Sequence, residues 1–206
     1  MKIELFTGDY SLDSMKEMPR KFKVNEDGMP AIEAAFILPL LIMLFIGLFE
    51  LTSAISINRQ VTNAASAMAD LITRHNSSIL KAEITDYYNA PEMIMAPIPS
   101  SNVRIELFGY RKAGAVISQI WKTNNGKGSS CGGDPPTANM APLMVSGNDL
   151  VVARVCTTYT PVTTAFLGTI FFPNPTLAVS ETITDRPRIS PTLTCYQTVE
   201  GGALCS

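Results

Sequence analysis

Few side chains in this sequence are spaced for catalysis. The one histidine, His75, follows a long helical run, and no spacing gives it a nucleophile to activate. It reads as an exposed surface residue. Carboxylates in the second half of the chain, such as Glu106, Asp134, Asp149 and Glu181, are scattered, and no D-x-D-x-D calcium loop occurs. The stretch Gly126–Ser130 sets Lys127 among glycines without Walker spacing, and reads as a flexible linker. Neither a G-x-S-x-G elbow nor a dinucleotide fingerprint is present. The expectation is a non-enzymatic protein with no cofactor, no metal and no catalytic residue. A secreted enzyme with a degenerate site is the weakest competing reading.

The four cysteines, Cys131, Cys156, Cys195 and Cys205, carry more information. No two are spaced C-x2-C, which argues against a zinc ribbon or a thioredoxin-type site. Four cysteines allow three pairings. Locality and flanking turn residues favour Cys131–Cys156 with Cys195–Cys205, and two disulfides imply an oxidising compartment. The competing reading is four buried thiols in a reducing one.

Those cysteines need an export route, and the N-terminal third supplies one. Ala34 to Phe49 is an uncharged apolar run between Glu33 and Glu50, and Met29 to Leu51 is long enough as a helix to cross a bilayer. The run has no polar face, unlike a soluble core helix. Lys16, Arg20, Lys21 and Lys23 precede it, whereas Arg59 is the first basic residue after it. Positive charge stays on the cytoplasmic side, so the larger part is exported. A cleaved secretory signal ending near Thr52–Ala54 is the competitor; the run's length, its internal Pro39 and the long leader oppose it. Pro39 frees the Ala35 carbonyl and predicts a kink. A net charge of −2 with 17% charged residues excludes a phosphate-neutralising nucleic-acid binder.

Glu33 is the odd residue, because a carboxylate at the bilayer edge is costly unless solvated or paired. It lies five positions after Gly28 in Asp27-Gly28-Met29-Pro30-Ala31-Ile32-Glu33. This junction resembles the processing site of type IV prepilins and pseudopilins, which a prepilin peptidase cuts after the glycine. Ile32 to Pro39, IEAAFILP, resembles the TadE/TadG-like family of the Tad (Flp) pilus system. Gly28, Glu33 and Pro39 stand at the family's spacing, while Ala34 replaces the frequent phenylalanine. The resemblance implies cleavage between Gly28 and Met29. It also implies a role for Glu33 in meeting the new amine of a neighbouring pilin or pseudopilin subunit. Partners would then be the membrane, other subunits, the peptidase and the pilus assembly machinery. The expected location is the bacterial cytoplasmic (inner) membrane, with the C-terminal domain periplasmic and open to incorporation in a pilus.

Beyond the anchor, Ala54, Ile57, Val61, Ala64, Ala65, Met68, Leu71 and Ile72, with Leu51 and Ile55, recur at helical spacing. Asn58, Asn63, Ser66, Asp70 and Thr73 mark a polar face. One helix is predicted from about Ala31 to Thr73, with a second over Ile79 to Asn89. Strands are predicted at Val103–Phe108, Ala115–Trp121, Leu150–Thr160 and Leu177–Thr184, with Gly109–Gly114 as a turn. The segment Thr164–Phe172 reads as either a short helix or an apolar loop. Arg186 and Arg188, straddling Pro187, read as a solvated turn or a subunit contact. The predicted class is α+β, a long transmembrane helix continuing into a pilin-like domain with an antiparallel sheet of about four strands. The expected division is leader 1–28, transmembrane helix 29–51 and exported domain 52–206. The functional expectation is a membrane-anchored minor pilin-like subunit of a Tad-type pilus. The alternative is an unprocessed single-pass envelope protein with an extracytoplasmic binding domain.

Overall fold

The computed structural model describes residues 29–161, 176–198 and 202–206. The chain divides into two compact units, residues 1–48 and 49–206. Helix α1 runs Met29–Thr73 without interruption at Pro39. Good helix formers and the absence of any inner glycine except Gly47 allow that length. From Met29 to Leu48 nearly every residue is exposed, on all sides of the helix.

In the second unit α1 turns one stripe inward: Val61, Ala64, Ala65, Met68, Ala69 and Ile72 are buried. The alanines keep the helix axis close to the sheet, while Met68 and Ile72 fill the space between. Leu51 and Ile55, which share the same periodicity, stay exposed. Thr73, assigned by periodicity to the polar face, is buried and donates to the Asp185 carboxylate. It ends the helix by bonding both backwards and across to a strand.

Strand β1 is Ser78–Leu80, α2 is Lys81–Tyr87 and α3 is Asn89–Ile94. The single helix expected over Ile79–Asn89 is thus a strand followed by two short helices. Leu80 stays extended as the N-cap of α2, and its N–H donates to Glu83. Four longer strands follow: β2 Arg104–Ala113, β3 Val116–Asn124, β4 Asp149–Tyr159 and β5 Leu177–Asp185. They form one antiparallel sheet in the order β3-β2-β4-β5. This is the α+β class expected from the sequence, with four antiparallel strands behind a long N-terminal helix. Strand β6, Thr194–Tyr196, pairs in parallel with β1. The segment Thr164–Phe172 lies outside the described residues.

Gly109 is not in a turn. It sits inside β2 at a register shift opposite Trp121, and a Cβ there would overlap the indole ring. The turn falls instead at Gly114, whose φ of +62° suits glycine.

The sheet is covered on both faces. Ile105, Leu107, Trp121, Val151, Ala153 and Val155 face α1 in the main core. On the other face Phe108, Tyr110, Leu150 and Val152 pack with Met140 and Met144 from the loop between β3 and β4. Trp121 donates its indole N–H to the Leu193 carbonyl at 2.9 Å, fixing the C-terminal tail to the sheet.

Candidate functional site

Gly28 precedes the described residues; Met29 is the first residue of α1, and Glu33 stands exposed one turn further on. Pro39 lies inside the same helix. The surrounding apolar window has no buried residue, which separates it from the core helix of a soluble protein. Phe36, Leu40, Phe45 and Leu48 are all more than half exposed. An apolar surface of this extent, exposed on every side, has the length and composition of a membrane-crossing helix.

Residues 28–70 match the family model described as TadE-like protein. The TadE-like segment therefore begins at Gly28, holds Glu33 and Pro39, and ends on the buried stripe of α1. Its one long apolar helix is compatible with a single-pass membrane protein. No curated protein and no solved structure matches the chain.

Downstream of the TadE-like segment, the structure bonds Cys131 to Cys156 and Cys195 to Cys205, with Cα separations of 5.7 and 5.4 Å. No described cysteine is free. The first bond fastens the β3–β4 loop to the centre of β4. An ion cluster beside it does the same by charge. Glu106 is buried on the outer face and accepts from Arg154 Nη2 at 2.5 Å and from Arg104 Nε at 3.1 Å. Arg154 also donates to the carbonyls of Gly133 and Gly132. Burial alone would raise the Glu106 pKa; the hydrogen bonds from Arg154, then Arg104, outweigh it and hold the carboxyl below its usual range. The alternation read over Val103–Phe108 marks Glu106 and Phe108 as one face of β2, but nothing local to the strand reveals the loop that covers that face, or that Tyr110, expected in a turn, continues it.

The Gly126–Ser130 stretch, read as a flexible linker, is pinned. Lys127 Nζ lies 2.8 Å from both oxygens of Glu92, and the Gly128 N–H donates to the Ser101 carbonyl. His75 is half-buried rather than exposed, with its Nε2 2.9 Å from the Tyr87 hydroxyl. Arg188 pairs with Asp70 at 2.6 Å and with Asp185 at 3.5 Å, and its N–H donates to the Thr73 carbonyl. Arg186 donates to the Leu143 carbonyl. Both arginines hold the tail to its own domain. Near the start of the second unit, Glu50 accepts from the Tyr159 hydroxyl at 2.5 Å. Burial, then the Glu50 hydrogen bond, raises the Tyr159 pKa.

Among the described residues no group of histidine, cysteine and carboxylate side chains could hold a metal ion. A cleft of about 480 Å³ lies beside the Cys131–Cys156 bond. Hydroxyl and small side chains line it, including Ser129, Thr158, Ala178 and Ser180, and no charged residue does.

Proposed function

We propose that this chain is a membrane-anchored, non-enzymatic minor pilin-like subunit that contributes to the assembly of a Tad-type surface pilus. The supporting observation is the coincidence of the TadE-like match at residues 28–70 with an apolar helix exposed on every side. The resemblance of the Gly28–Glu33 junction to a prepilin processing site supports cleavage by a prepilin peptidase. Cleavage would leave an ammonium at Met29. An ammonium and a carboxylate, each costly to leave unpaired in low dielectric, attract strongly there. Glu33 of one subunit would set register by meeting the Met29 amine of its neighbour. Two disulfides fit a domain facing the periplasm.

N-terminal sequencing of the protein purified from bacterial inner membranes tests this reading. A start at Met29 is expected. A start at Met1 would favour an unprocessed single-pass envelope protein whose exported domain binds a partner. Glu33→Gln should still insert in the membrane but enter sheared pili poorly; wild-type incorporation would remove Glu33 from assembly.

A further inference from the structure

The two edges of the main sheet are treated differently. Strand β3 is interrupted by the register shift at Gly109/Tyr110, and its Lys122 N–H is taken by the Cys205 carbonyl. Strand β5 has neither device. It pairs with β4 over nine consecutive positions without a shift, from Leu177 to Asp185. It contains no proline, lysine or arginine. Among the described residues, nothing hydrogen-bonds its outward side. A regular, bare edge about 30 Å long is a template for an added strand.

A second observation lies beside that edge. The cleft of about 480 Å³ opens on the outer face of β4 and β5, with Ala178 and Ser180 on its floor and Ser129 on the loop side. The hydroxyls of Ser129, Thr158 and Ser180 make no hydrogen bond within the domain, and all three residues are exposed. An added strand directs alternate side chains to one face, so one of them would enter this cleft.

We infer that the β5 edge binds an extended segment of a partner protein as a fifth strand, with a bulky uncharged side chain of that segment seated in the cleft. The cleft's lack of charge disfavours an ionised side chain, which would be desolvated without a counter-ion. Its size disfavours a second copy pairing through its own β5. That strand would present only Ala178, Ser180, Thr182 and Thr184 on this face, too small to fill the space. Main-chain hydrogen bonds along the edge supply affinity, and the cleft supplies selection. This inference does not depend on the pilus reading.

The test uses the full chain in lipid nanodiscs. The probes are three lysine-capped peptides in which threonine alternates with glutamine, methionine or tyrosine. At least one should bind, protect amides of residues 177–185 from hydrogen exchange, and lose binding when the peptide amides that face β5 are N-methylated. Ser180→Phe, which fills the cleft, and Thr182→Lys, which charges the edge, should each weaken binding by about tenfold or more with thermal melting unchanged. Failure of all three peptides would overturn the proposal, as would equal binding of the N-methylated form. Peptide-independent dimerisation abolished by Thr182→Lys would also overturn it and assign the edge to a second copy.

Discussion

Asp149, at the start of β4, is bound on both carboxylate oxygens by Arg111, with Nε to Oδ1 at 2.7 Å and Nη2 to Oδ2 at 2.8 Å. The same Oδ2 accepts the buried Leu193 N–H at 2.7 Å, and the Asp149 N–H donates to the Pro191 carbonyl. One side chain thus joins two strands and the C-terminal tail. Asp149→Ala should cost about 3 kcal/mol, since it strands a buried N–H and a partly buried guanidinium. Urea unfolding of the full chain in detergent would measure it. A loss below about 1 kcal/mol would mean the tail is held by other contacts.

Glu106 makes stability sensitive to acid. Its folded pKa lies below the unfolded value of about 4.3, so its contribution is complete above that pH. The contribution is lost as pH falls through the folded pKa. Melting temperature should therefore drop below about pH 4, and Glu106→Gln should flatten that part of the curve. An unchanged slope in the variant would show that other carboxylates govern acid unfolding.

At the alkaline end Tyr88 has the opposite sign. Burial pushes its pKa up to about 12. Its contribution is complete below the unfolded value of about 10 and is lost as pH rises through about 12. Neither the Tyr88 nor the Thr123 hydroxyl has a partner in hydrogen-bond geometry. Tyr88→Phe should therefore change neutral-pH stability by less than about 1 kcal/mol while reducing the alkaline loss. Melting curves at pH 7 and pH 11 would separate the two effects.

Gly109→Ala should destabilise by about 1–3 kcal/mol, because the added methyl must displace the Trp121 ring from a packed core. Displacing the ring also threatens its bond to the Leu193 carbonyl. A shifted tryptophan fluorescence maximum with a lowered melting temperature is the expected signature. Wild-type values for both would show that the core yields around the methyl.

The long helix was legible because an uncharged apolar run followed by a three-four periodicity has few other solutions. The strands around Ile105, Val152 and Val179 were legible from β-branched residues and alternation. What the sequence hid was non-local. Gly109 looks like punctuation, yet it is a relief cut for Trp121, which arrives from another strand. Lys127 looks mobile among glycines until Glu92, 35 positions away, appears beside it. The two three-residue strands β1 and β6 have no periodicity long enough to read, and only their pairing makes them strands. At the junction, Gly28, Glu33 and Pro39 were marked only by their resemblance to the TadE/TadG-like pattern, and the family match covers residues 28–70.

The pairing of β1 with β6 sets the order in which the domain can be completed. Ser78 meets Thr194, the Cys205 N–H donates to the Cys195 carbonyl, and Lys81 reaches the Ser206 carbonyl. Residues 194–205 close the region just after the helix, so a chain whose synthesis or translocation has not passed Cys205 cannot finish folding. Strand β1 therefore stays unpaired until its partner, far later in the chain, has been made.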